Sequence, residues 1–241
     1  MRKYYFIFSI LLLPFFSSSQ IDISKIGQKI TNSNSKISEK ETSKGLIEAL
    51  KQGSQYAVQE ASKKGGFNNN PLIRIPFPKE AKKIKKTLSE VGFKKSIQEF
   101  ELKMNEAAEN ASKEALDILI TEVKNIKIKD AFKILKGEEN AATLYLKEQS
   151  YSSLQSKFSP VIIKSMEKIE IYKYWDPLIK KYNSIPFSKK INPNLEEYIT
   201  TKAIDGLFIL IEKEEKEIRQ NPKKRLSDIL KKVFKYAIYI L

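Results

Sequence analysis

The chain has 241 residues, 41% of them hydrophobic, with no cysteine and no histidine. That length and apolar share fit one globular domain, while the two absences exclude disulfides, thiolate nucleophiles, serine–histidine triads and histidine-bearing zinc sites, so neither metal nor cofactor is expected. The net charge is +15, yet 40 of the 44 basic residues are lysine and only Arg2, Arg74, Arg219 and Arg225 carry the planar fork that phosphate-reading proteins favour; this argues against nucleic acid as a partner and leaves compositional drift with solubility, or an anionic lipid surface, as the meaning of the charge.

Arg2 and Lys3, the apolar run 4–16 and the small residues Ser17, Ser18 and Ser19 follow the order of a signal peptide cut after Ser19. The run falls short of the roughly 20 apolar residues that a spanning helix needs. Export to the periplasm, the cell surface or the medium is therefore expected. Residues 20–43 are polar, with weak apolar spacing, and read as a flexible leader; residues 44–241 read as a single helical domain.

Within that domain Leu46, Ala49, Leu50, Gly53, Ala57 and Val58 recur at helical spacing and predict a helix over 44–64, closed by Gly65 and Gly66. Residues 66–78 hold Pro71, Pro76 and Pro78, which forbid a helix and disfavour a central strand. Ile73, Ile75 and Phe77 alternate there, so one side of an extended connection should lie on the core. Ala81, Ile84, Leu88 and Val91 mark the next helix, with lysines on its other side and Gly92 after it. Residues 94–124 then read as one long helix. Its stripe of Ala107, Ala108, Ala111 and Ala115 implies close approach by a neighbour.

Short helices are predicted over 129–136 and 140–149, and another over 154–169 that Pro160 should start or kink. Residues 170–183 carry the single tryptophan, Trp175. A long helix is predicted over 195–220, stopped by Asn221 and Pro222. Leu226, Ile229, Leu230, Val233, Phe234 and Ala237 give the last one an amphipathic pattern. No hairpin signal appears, so the expected fold is all-α: one multi-helix domain with a proline-rich extended connection near residues 66–78.

Several short motifs recur in a familiar order. They include Arg74-Ile75-Pro76-Phe77-Pro78, Met104-Asn105-Glu106-Ala107-Ala108-Glu109, Asp130-Ala131 and Ile218-Arg219-Gln220-Asn221-Pro222. On these the chain resembles the bacterial domain-of-unknown-function family numbered 4197, over about residues 44–235. The resemblance implies an exported, mostly helical protein and adds no chemistry.

Six polar residues stand out as ligand or structural positions. Asn105 and Glu109, four apart beside the alanine stripe, suit either a ligand-binding pair or hydrogen bonds that fix helix register. Glu215 and Arg219 form an i,i+4 pair. Arg74 and Arg219 keep arginine where lysine prevails, which suggests that each needs two oxygens at once: Arg219 from Glu215, Arg74 from a carboxylate or helix-end carbonyls near the loop. Asp130 joins Glu109 and Glu215 as a possible acid. No catalytic set is recognisable, so the expected function is a non-catalytic envelope module that binds a protein partner or an apolar ligand. A carboxylate-dependent hydrolase acting on envelope material, or lysine-mediated association with anionic lipid, are the alternatives.

Overall fold

A computed structural model describes residues 37–187 and 193–240 of the protein. The segment read as a signal peptide and most of that read as a leader lie outside the described residues. The described part is all-α, in nine helices joined by short turns and one long connection.

Helix α1 (Glu39–Ala61) opens on a capping box: Ser38 Oγ accepts the Glu41 N–H, and the Glu41 carboxylate accepts the Ser38 N–H. It therefore begins five residues before Lys44, inside the stretch read as leader. A 3₁₀ turn (Lys79–Ala81) leads from the proline-rich connection into α2 (Lys82–Glu90). Val91, expected on the buried stripe, follows the last turn of that helix and is exposed.

The expected single helix over 94–124 is two: α3 (Lys94–Ser112) and α4 (Ala115–Asn125). The chain turns at Lys113 and Glu114, so that α3 covers one set of neighbours and α4 packs on α1. The alanine stripe does admit a close neighbour, since Ser165 Oγ reaches the Ala107 carbonyl at 2.9 Å.

After the short α5 (Ala131–Leu135), α6 (Ala141–Lys168) runs unbroken through Pro160. Proline removes the N–H that residue 156 would accept, but Ser156 and Pro160 both face solvent, where water can serve that carbonyl. Helix α7 (Tyr172–Asn183) carries Trp175. Helix α8 (Leu195–Gln220) has the predicted bounds and is capped by the Asn194 side chain. Helix α9 (Asp228–Ile240) follows a 3₁₀ turn that leaves Leu226 exposed, outside the helix's buried stripe.

Helix α8 is the axis of the core, packed against α1, α6 and α3. At one end of α3, Trp175 stacks on Phe100 with ring centroids 4.7 Å apart, and Phe77 meets both rings edge-on or tilted. Such pairs add about 0.5–1.5 kcal/mol each beyond area burial. They pin the end of the proline-rich connection to the core.

Candidate functional site

The connection between α1 and the 3₁₀ turn has no sheet partner, so its buried N–H groups must find acceptors elsewhere. Helix α3 supplies them from three side chains spaced four residues apart. Glu109 accepts the N–H groups of Gly65 (3.0 Å), Phe67 (3.2 Å) and Asn68 (3.3 Å). Asn105, wholly buried, closes a pair with Ile75, accepting its N–H at 2.8 Å and donating to its carbonyl at 2.9 Å. Glu101 accepts the Phe77 N–H at 3.2 Å and also holds Lys85 and, at 3.6 Å, Arg74. Ile73, Ile75 and Phe77 point inward as their alternation predicts, while Leu72, Arg74 and Pro76 point outward.

A second network holds the start of α6. Asn140 makes no side-chain cap there. The cap comes from α8 instead: Glu215 accepts the N–H groups of Ala142 (3.1 Å) and Thr143 (2.7 Å) and the Thr143 hydroxyl (2.6 Å). A carboxylate at a helix N-terminus is also favoured by the helix dipole. Arg219 donates to Glu215 through Nε at 2.9 Å and to the carbonyls of Leu135 (2.8 Å) and Ile134 (3.2 Å), which end α5. Its guanidinium lies 5.6 Å from the Phe234 ring centroid. Beside this pair, Arg225 closes the end of α8 by donating to the carbonyls of Ile218 and Arg219.

The six sequence candidates thus divide. Arg74, Asn105 and Glu109 belong to the loop network, and Glu215 and Arg219 to the network between α5, α6 and α8. Asp130 belongs to neither: it is exposed, sits in the left-handed region at φ 53° and makes no capping bond. Both oxygens of Glu109 and of Glu215 are taken by donors of the chain itself. Among the described residues no group of three or more acidic side chains is placed to hold a metal ion. Glu101 and Thr143 were not singled out from the sequence, although Glu101 continues the four-residue spacing of Asn105 and Glu109.

The loop and the start of α6, which these networks hold, face a common recess. The outward side of the loop (Leu72, Arg74, Pro76), the first turns of α6 (Thr143, Leu144, Lys147) and one face of α8 (Tyr198, Lys202, Asp205, Ile209, Glu212) enclose an open groove of about 360 Å³. The loop runs antiparallel to α8 there. A side chain at Gly206 would strike Phe67 and Ile73, and the Tyr198 hydroxyl donates to the Pro76 carbonyl at 2.8 Å. Leu72, Leu144 and Ile209 come from three different elements and stand 59%, 51% and 38% exposed, which is unusual for leucine and isoleucine sharing one recess. Lys147 is held by Asp205 at 2.9 Å and lies over the Tyr151 and Phe208 rings.

Other recesses suit an apolar guest less well. The one beside Asn68, Asn69 and Asn110 is larger, about 670 Å³, but Leu102 is the single large apolar side chain among its lining residues. The apolar gap enclosed by Leu119, Phe158 and Leu207 measures about 10 Å³, room for no more than about one water. An apolar ligand does not fit between those helices.

Fold and site together define an all-α domain in which the buried Glu101, Glu109 and Glu215 serve its own backbone beside a surface groove. The chain belongs to the family described as "Protein of unknown function (DUF4197)", which matches residues 36–235. That match starts just ahead of the capping box and spans every described helix up to Lys235. No curated protein and no solved structure matches the chain.

Proposed function

We propose that the protein is an exported, non-catalytic binding module whose working surface is the groove between the proline-rich loop, α6 and α8. One observation carries the reading. Three apolar side chains lie exposed in one recess, and the two walls opposite α8 are each clamped by a buried carboxylate network. Burying charge is expensive unless every oxygen is paired, and the result is an irregular wall held in a single shape. Preorganised walls around exposed apolar groups are what a binding site needs. The carboxylate-hydrolase reading takes no support from this geometry, because Glu109 and Glu215 are engaged and Asp130 stands apart.

The test uses Nile red, a neutral apolar dye, with the chain beginning at Gln20. Wild type and Leu226→Glu, a change at an exposed leucine outside the groove, should enhance its fluorescence equally. Leu144→Glu should abolish the enhancement. Dye binding that survives Leu144→Glu would remove the groove from the argument. Export is tested separately by N-terminal sequencing of the native protein, which should begin at Gln20; a start at Met1 would refute it.

A further inference from the structure

The groove is not electrically uniform. Near Tyr198 it carries Lys79 and Lys202, neither of which has an acidic partner among the described side chains. Arg74 adds to the same end. Its one acidic neighbour, Glu101, is shared with Lys85, so one carboxylate faces two cations. Further along, Lys147 and Asp205 neutralise each other, and Leu144, Ile209 and Leu72 form the apolar stretch. From Lys202 to Ile209 is seven residues of α8, about 10 Å at 1.5 Å per residue. Glu212 lies roughly one turn beyond. The groove therefore runs from a cationic end, where Lys79 and Lys202 meet no acidic partner among the described side chains, across an apolar floor, to an acidic end.

Such a polarity selects its occupant. A neutral apolar molecule would leave the cations unanswered. An anion without a tail would leave the apolar floor wet. We infer that the groove takes a single-chain anionic amphiphile, with its phosphate or carboxylate head between Lys79 and Lys202 and its acyl tail over Leu144 and Ile209. The inference rests on the groove reading above and adds the chemical class of the ligand. A bilayer surface is a different occupant: it is flat on this scale and would rest on the rim without filling the recess. The volume of about 360 Å³ falls at the small end of the roughly 300–1,000 Å³ typical of small-molecule sites, which suits one chain and not two.

A matched pair of probes separates head from tail. Dodecyl phosphate and dodecylphosphocholine share the chain and the phosphate, and the second carries a cation that cancels the charge. Both are titrated into the chain from Gln20 by calorimetry, below micelle-forming concentrations and at low salt, where exposed charges are least screened. Dodecyl phosphate should bind on the order of tenfold more tightly, the effect of about 1.4 kcal/mol. The double variant Lys79→Glu, Lys202→Glu should erase that ratio by weakening dodecyl phosphate at least tenfold. Leu144→Glu should weaken both amphiphiles. All three positions are at least partly exposed, and far-UV circular dichroism checks that the variants fold. Equal affinity of the two probes for wild type, or a preference that survives the double charge reversal, would overturn the assignment and leave the groove as a neutral apolar site. Binding to phosphatidylglycerol vesicles without binding to monomeric dodecyl phosphate would overturn it in favour of a membrane surface. Loss of the Nile red result itself would fell the groove reading, a separate failure.

Discussion

Arginine is so scarce in this chain that its retention invites one explanation for every position, and the structure separates two of them. Arg219 is about 10% exposed and uses both sides of its fork, one on Glu215 and the other on the Leu135 and Ile134 carbonyls. Arg74 is half exposed and has a single acidic neighbour at 3.6 Å. Replacing Arg219 with lysine keeps the charge and at best one bond to Glu215, and strands the two carbonyls. Hydrogen bonds to a charged group contribute about 1.5–3 kcal/mol each, and a buried acceptor left unpaired costs about 1–3 kcal/mol. Because lysine relaxes toward part of that geometry, Arg219→Lys should cost about 2–4 kcal/mol. For a domain of this size each kcal/mol lowers Tm by roughly 2–4 °C, so a fall of about 8 °C is expected. Arg74→Lys should stay within about 0.5 kcal/mol, as exposed ion pairs and surface changes do. Thermal melts followed by circular dichroism decide it. An Arg219→Lys midpoint within about 2 °C of wild type, or equal losses in both variants, would show that the buried fork is not what keeps arginine at position 219.

Asn105→Leu should destabilise by about 2–4 kcal/mol, since it leaves the buried Ile75 N–H and carbonyl unpaired; hydrogen exchange should quicken first at the Ile75 amide. Gly206→Ala should lower stability by about 1 kcal/mol in urea unfolding, because overpacking a Cβ built 2.9 Å from the Phe67 ring outweighs the helix-propensity gain. Glu41 is held down to about 2 from an ordinary 4.5, first by the hydrogen bond from Lys232 and then by those from Ser38. Its folded value is depressed, so its contribution to stability is whole above about pH 4.5 and fades as pH falls toward 2. A carboxyl titration by NMR should show that midpoint, and Glu41→Gln should flatten the acid limb of the stability curve.

Much of the fold is legible where local chemistry and core packing agree. Helix α8 has its predicted bounds because Asn194 caps one end and Asn221-Pro222 cannot continue the other. The start of α1 was legible in principle: Ser38 and Glu41 form a capping box three residues apart, yet the weak apolar spacing upstream of Lys44 hides it. The turn at Lys113 and Glu114 carries no glycine or proline, and the apolar stripe passes through it without a change of phase. It lets α4 pack on α1 while α3 packs on α7, with both helices resting on α6. Pro160 misleads in the opposite direction, since an exposed proline costs a helix a bond that water can replace.

The site shows a different limit. Asn105, Glu109, Glu215 and Arg219 draw notice through spacing and scarcity, and the same features would mark an active site. What separates a clamp from a catalytic group is the partner, and here the partners are backbone N–H and carbonyl groups, which carry no residue-type signal. Context offers one clue. A proline-rich stretch cannot satisfy its own N–H groups through a helix or a ladder, so a nearby helix with acceptors every fourth residue is a natural source of them. The groove leaves a fainter trace in the unbroken run of Leu207, Phe208, Ile209, Leu210 and Ile211 on α8. A helix with only one core-facing stripe cannot bury five consecutive apolar residues, and Ile209 is the one left outside. Polar residues that look chemical in this chain therefore shape a surface, and the residues that would meet a ligand are ordinary leucines, isoleucine and lysines whose positions only the folded backbone reveals.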